Sequence, residues 1–253
     1  MSSWDFVALT DPGRVRANNE DAVSFDAPLG LAILADGMGG YNGGEVASGM
    51  TIALLQASIG RWLAHAGPEA STRGVRRALQ AGVDEANLAV LEASVANSQL
   101  QGMGTTLVAA VFGPKKVVVG HIGDSRCYRL RGQTLEQLTH DHSLLQEQLD
   151  AGVLTPEQAL HSPIRNLVTR AVGIERQVLL EMKEFDTQPG DLYLLCSDGL
   201  SEMVSAEDIF TVLLQDIDLS HKATLLVSLA NDNGGRDNIS VVLARANSTD
   251  SVA

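Results

Sequence analysis

Three aspartates stand at the ends or flanks of short apolar runs in widely separated parts of the chain: Asp36 in LAILADGMGG, Asp198 in LYLLCSDGL and Asp237 in GGRDNISVVL. Runs of that length rich in Leu, Val and Ile read as buried strands, and Asp-Gly and Gly-Gly are turn signals, so each carboxylate belongs at a strand mouth. A single aspartate of this kind is an ordinary turn residue. Together with Asn19-Glu20-Asp21 beside another strand, the set reads as a hard-cation site assembled from distant segments. Magnesium and manganese take carboxylates, carbonyls and water, whereas zinc favours closely spaced histidine or cysteine. The acidic set therefore favours magnesium or manganese.

The apolar pattern places strands over Trp4 to Thr10, Ala22 to Asp26 and Leu31 to Ala35. A helix follows from Gly44 to Ala66, with Val46, Met50, Ala53, Leu54 and Ala57 predicted on its inner face. A second starts at Ser71, an N-cap residue type, with Val75, Leu79, Val83, Ala86 and Val90 inward. Thr105 to Phe112, Lys115 to Ile122, Arg126 to Arg131 and Thr134 to Leu138 read as an antiparallel meander. Between Asp141 and Gly173 the pattern breaks into short helical pieces, including the capping box Thr155-Pro156-Glu157-Gln158, and this insertion is a candidate flap. Leu179 to Phe185, Asp191 to Cys196 and Ile239 to Ala244 complete the strands, and Ala206 to Leu214 and Ser220 to Ala230 the helices. Strands, helices, strands and helices in that order predict an α+β fold of two antiparallel sheets face to face, each covered by helices. No linker or repeat interrupts the chain, so one domain is expected over residues 1–246, followed by a polar tail at 247–253.

A formal net charge of −13 argues against nucleic acid and anionic membranes as general partners. It leaves a phosphorylated substrate open, because divalent ions and a few arginines reverse the field locally. Cys127 and Cys196 sit in or beside apolar runs and read as buried free thiols. The start MSSWDFVALTDPG lacks the pattern of a secretory signal, and no stretch approaches the roughly 18 apolar residues of a membrane span, so a cytoplasmic protein is expected.

The ordered pieces VRANNED (Val15 to Asp21), ADGMGG (Ala35 to Gly40), GMGTT (Gly102 to Thr106), GDSR (Gly123 to Arg126), SDGL (Ser197 to Leu200) and GGRDN (Gly234 to Asn238) resemble the metal-dependent serine/threonine protein phosphatases of the PPM, or type 2C, class in its bacterial form. The resemblance implies a four-layer αββα sandwich with two Mn2+ or Mg2+ ions at one edge. Carried over by position, it makes Asp36 the bridging carboxylate and Gly37 the donor of a main-chain carbonyl. Asp198 and Asp237 then hold the other ion, Glu20 acts through water, and Arg16 binds substrate phosphate. Asp124, with Asp198, is implied as a ligand of a third, weaker ion, to which Ser162 is a further candidate. Two divalent ions about 4 Å apart repel by ~16 kcal/mol at an effective dielectric of about 20, which only several anionic ligands can offset.

Blander readings stand beside these. Glu20 and Asp21 suit caps or salt bridges, Asp124 and Asn238 suit turns, and Arg16 suits a solvated surface. Where animal and plant members often read DGHGG, this chain has Met38, which cannot donate a proton. His121, His140, His142 and His161 form no close ligand pair in sequence; His142 and His161 are candidates to replace the missing acid. The resemblance implies hydrolysis of phosphoserine and phosphothreonine on proteins, with phosphorylated proteins as partners, including a kinase or its substrates. A catalytically weak phosphoprotein-binding module on the same fold is the alternative from another class, and a phosphatase of small phosphoesters is a second enzymatic one. Neither a CxxxxxR loop nor GxxxxGK[ST] is present.

Overall fold

The computed structural model describes residues 4–247 except 41, 160, 161, 163, 165 and 166. In chain order the elements are β1 (Trp4–Asp11), β2 (Asp21–Asp26), β3 (Leu31–Met38), α1 (Gly43–Ala66), α2 (Thr72–Ala96), β4 (Gly104–Thr105), β5 (Leu107–Phe112), β6 (Lys116–Ile122), β7 (Arg126–Arg131) and β8 (Thr134–Gln137). They continue with α3 (Leu144–Asp150), α4 (Pro156–Ala159), β9 (Glu181–Asp186), β10 (Leu192–Cys196), α5 (Asp198–Ser201), α6 (Ala206–Leu214), α7 (Leu219–Asp232) and β11 (Ile239–Ala246). One antiparallel sheet runs β1-β11-β10-β7-β8; the other runs β2-β3-β5-β6-β9, with β4 beside the end of β3. The expected four layers are present: α1 and α2 cover the second sheet, α6 and α7 cover the first, and the sheets face each other across a shared apolar layer.

Strand composition follows from this layering. Leu31, Ile33 and Ala35 of β3 face the α1–α2 layer, while Ala32 and Leu34 enter the layer between the sheets. In β10, Leu192, Leu194 and Cys196 face α6 and α7, and Tyr193 and Leu195 point the other way. A strand buried on both faces needs an unbroken apolar run instead of strict alternation. Asp36 continues the parity of Ala32 and Leu34, and Asp21 is its register partner on β2. The layer between the sheets therefore ends in carboxylates.

Two expectations need correction. The four strands from Thr105 to Leu138 are not one meander: β5 and β6 pair in one sheet, β7 and β8 in the other. The chain changes sheets at Gly123-Asp124-Ser125, where Gly123 has a φ of 97° and a Cβ would strike Thr106. Hydrophobic alternation reports which face of a strand is buried but carries no information about which sheet it joins. The inward face of α1 is also turned. Ala47, Ser48, Thr51, Ile52, Leu55, Ile59 and Leu63 are buried; of the expected face Val46, Met50 and Leu54 pack partly buried at its margin, while Ala53 and Ala57 are exposed. Apolar residues surround most of this helix, and its first turn docks through small groups: Ser48 Oγ donates to the Glu20 carbonyl at 2.6 Å. The α2 stripe is as expected, and Ser71 Oγ accepts from the Gly74 amide at 3.2 Å as its cap. Thr155 and Gln158 form the expected reciprocal box, at 2.9 and 3.4 Å. The tail expected at 247–253 lies, apart from Asn247, outside the described residues.

Gly37 fixes how closely α1 approaches the end of β3. A Cβ there would run into the Gly44 carbonyl and lie 2.6 Å from the Glu20 carbonyl. Gly37→Ala is expected to lower stability by about 1–3 kcal/mol through overpacking, measured as a lower denaturation midpoint in urea with unchanged slope; a midpoint equal to that of the wild type would contradict this packing.

Candidate metal centre

The carboxylates come from five places. Asp21 opens β2, Asp36 lies near the end of β3, Asp124 sits in the crossover between sheets, Asp198 begins α5, and Asp237 precedes β11. Each is held by its neighbours. The Asp36 amide donates to Thr106 Oγ1 at 3.1 Å, and the Asp36 carbonyl accepts from the Thr106 amide and Thr105 Oγ1, both at 2.8 Å. Thr106 Oγ1 in turn bonds Ser125 Oγ at 2.7 Å, tying the Asp36 strand to the residue after Asp124. Ser197 Oγ donates to Asp21 Oδ2 at 2.8 Å and accepts from the Ser240 amide at 3.0 Å. The GMGTT and GDSR motifs are thus bonded to each other and to the Asp36 strand, and the SDGL motif to Asp21 and β11.

Asn238 organises the other edge. Its Oδ1 accepts from the Glu20 amide at 2.7 Å, and its Nδ2 donates to the carbonyls of Pro12 and Asn18 at 3.0 and 2.9 Å. Its own amide donates to Asp237 Oδ1 at 2.9 Å. One buried residue therefore sets both, Glu20 through its side chain and Asp237 through its main-chain amide. Arg16 Nη2 donates to Asp237 Oδ2 at 2.7 Å, with the Arg16 side chain half exposed at the mouth of the site.

Gathering these anions shifts their proton affinities. Burial, followed by the charges of Asp21, Asp198, Asp124 and Asp237, holds the Asp36 carboxyl well above the usual range. Burial and then Asp124, Asp237 and Glu202 do the same to Asp198. Asp21 is pushed up to about 7 and Asp124 to about 6, burial being the largest cause in both. Asp21 Oδ1 is buried without a protein donor. Like charges this close share protons or take up a cation. Carboxylates without histidine or cysteine among them are the donor set of a hard cation such as Mg2+ or Mn2+. The residues present fit it: Asp36, Asp198 and Asp237 are half-buried, so their oxygens are reachable, and the frame behind them is already satisfied.

Residues 14–231 match the family described as protein phosphatase 2C. The chain belongs to that family. The serine/threonine phosphatase stp of Listeria welshimeri is 39% identical over 241 residues, 94% of each chain. The structure of the Mycobacterium tuberculosis serine/threonine phosphatase PstP/Ppp superimposes with a TM-score of 0.85 at 39% identity, over 97% of this chain and 99% of that one. The catalytic domain of PstP in complex with two manganese ions does so with a TM-score of 0.84, at 39% identity and the same coverage.

The fold places Asp36, Asp198, Asp237 and Asp124 within one electrostatic cluster, with Glu20 and Arg16 beside Asp237. Asp21, read with Glu20 in the acidic set, lies in register opposite Asp36, and the fold adds Glu202, whose charge acts on Asp198 and Asp124. Ser162 Oγ accepts from the Ile164 amide at 3.4 Å. His121 and His142 are buried beside β6 and bond outside the acidic set, and His161 lies outside the described residues. His140 pairs with Asp150 at 2.7 Å on the surface.

A pH dependence follows. The raised carboxyls make the folded protein hold more protons than the unfolded chain between the ordinary carboxylate range near pH 4 and about 7, the value for Asp21. The lowered His121 and His142 act in the opposite sense below their ordinary range, but the raised carboxyls Glu20, Asp21, Asp36, Asp124 and Asp198 outnumber them. Stability of the metal-free protein is therefore expected to fall as pH rises through that interval. In a chelator, the melting temperature is expected to be about 5 °C or more lower at roughly pH 8 than at roughly pH 5.5, and millimolar Mn2+ is expected to abolish the difference. A metal-free protein whose stability rises over that range would contradict the clustered-anion reading.

Proposed function

We propose that this chain is a metal-dependent protein phosphatase that removes phosphate from phosphoserine and phosphothreonine. The observation that carries this reading is the carboxylate cluster at the seam between the sheets with a half-exposed guanidinium at its rim. In this reading Asp36 would be shared by two Mn2+ or Mg2+ ions, the Gly37 carbonyl serving one and Asp198 and Asp237 the other, with Glu20 acting through water. Asp124 with Asp198 would hold a third, weaker ion. When bound, the ions supply Lewis acidity, lowering the pKa of water and neutralising phosphoryl oxygens.

The residues of the chain do the rest. Arg16 needs only one of its five donors for Asp237, so it can turn the remainder of its fork towards a phosphate dianion. Asn238 and the Thr106–Ser125 pair keep the carboxylates from relaxing apart. Met38 carries no proton to give, and the His142 ring, pulled down to about 4 mainly by burial, is neutral near pH 7. A cysteinyl-phosphate route has no nucleophile: Cys127 and Cys196 are buried, and burial raises both thiols, Cys196 to about 12. Residues 141–173 act as a flap beside the site. Its ends are pinned by the Ser143–Val168 and Thr105–Val172 bridges, which leave the helical pieces between them as the adjustable part. No helix among the described residues is long and apolar enough to cross a membrane. A cytoplasmic enzyme acting on a serine/threonine kinase or its substrates is the setting we infer.

With Mn2+ present, a phosphothreonine peptide is expected to be hydrolysed and a phosphotyrosine peptide far less. Arg16→Ala is expected to lower kcat/KM on the phosphothreonine peptide by about 10- to 100-fold, the loss of one charge-assisted contact, with manganese affinity barely changed. Phosphopeptide binding without turnover would favour the weak binding module, and turnover confined to small phosphoesters would favour the other enzymatic reading.

A further inference from the structure

His142 commits every polar atom it has. Its amide donates to the Gly123 carbonyl at 2.9 Å, and its ring Nδ1 accepts from the Gly123 amide at 3.1 Å, so one residue holds both polar groups of the glycine before Asp124. Its carbonyl accepts from the Thr169 amide at 2.8 Å, where the 141–173 segment returns. Its Nε2 lies 3.4 Å from Glu181 Oε2 on β9 and 3.1 Å from Arg170 Nη1. The ring stacks on His121 with centroids 4.5 Å apart. The next residue back grips the other side of Asp124: the Asp141 carboxylate accepts from Arg126 Nε and Nη2 at 2.9 and 2.6 Å, and from Gln137 Nε2 at 3.0 Å.

The hydrogen-bond network assigns the tautomer. A neutral imidazole has one lone pair, and the Gly123 amide takes it at Nδ1, so the proton belongs on Nε2 and is directed to Glu181. Arg170 is then a charged neighbour of the ring rather than a donor to it. The same assignment disqualifies His121, His142 and Glu181 as a metal site, although one ligand atom from each lies within 4.8 Å of the others, because His142 has no free lone pair to offer. Burial, the His121 ring and the Arg170 charge keep His142 neutral.

We propose that His142 is a positioning residue that fastens the 141–173 segment to the crossover carrying Asp124, so that Asp124 holds its place beside Asp198 only while that segment is docked. Gly123 is in the left-handed region and its amide is buried; without an acceptor at Nδ1 the turn loses the bond that orients it. The segment and the carboxylate are thereby one mechanical unit, and a phosphoprotein that displaces the segment alters the edge of the site. The kinetic part of this inference rests on the phosphatase reading; the structural part does not.

The test compares His142→Asn, whose Oδ1 can stand where Nδ1 stands, with His142→Gln, whose amide reaches the Nε2 position instead. Amide hydrogen exchange is read in metal-free protein, without substrate. The Gln variant is expected to exchange about 10- to 100-fold faster than wild type at Gly123, Asp124 and Thr169, and the Asn variant to stay within about threefold. With Mn2+ and a phosphothreonine peptide, kcat is expected to fall about tenfold for Gln with KM little changed, and to recover for Asn. Gln matching wild type at Gly123, or Asn exchanging as fast as Gln while both remain folded, would overturn the proposal. A wild-type protein inactive on both phosphopeptides and small phosphoesters would refute the phosphatase reading and leave the exchange comparison standing.

Discussion

Mutual repulsion among carboxylates at the end of an apolar seam governs this molecule. Two sheets pressed face to face must close their shared layer somewhere, and here it closes with Asp21 and Asp36 from one sheet and with Asp198 and Asp237 from the segments that follow β10 and precede β11 of the other. Anions in so confined a place are stable only when protonated or neutralised by a cation. The apolar layer supplies the confinement, and the confinement supplies the affinity for a hard cation. Removing the acids would ease the folded protein but would leave it without chemistry, the familiar exchange of stability for function at a working site.

What keeps the anions from drifting apart is a shell of neutral donors and acceptors. Thr105, Thr106, Ser125, Ser197, Ser240 and Asn238 make bonds that run between the two sheets and through the crossover. Their polar groups are buried, so each unmade bond would cost about 1–3 kcal/mol. That cost makes the frame rigid. Arg16 is outside this frame and half exposed, which suits a group that must exchange one anionic partner for another.

Asp36 and Asp198 were legible in the sequence because each ends a continuous apolar run, the signature of a strand buried on both faces, and Asp237 because it precedes one. The layer architecture was legible from the order of strand and helix patterns. Asp21 was not separable from Glu20, since both sit at a loop-to-strand junction and only the pairing register opposite Asp36 tells them apart. The crossover at Gly123 was hidden because the apolar pattern of a strand shows which of its faces is buried and not which sheet it joins. The inward face of α1 was hidden for a related reason: apolar residues surround the helix, and small polar groups at its first turn decide the rotation. The ties of His142 to Gly123, Thr169 and Glu181 cross three segments and leave no periodic trace.

The central claim is that this cluster holds protons which a divalent ion must displace. Calorimetric titration of Mn2+ into the metal-free protein, repeated near pH 6.5 in buffers of different ionisation enthalpy, counts those protons directly. With Asp36 and Asp198 raised and Asp21 at about 7, binding is expected to release about one proton or more per protein molecule. Binding heats independent of the buffer would mean that no proton leaves, and the account of the site as a set of mutually protonated carboxylates would be wrong.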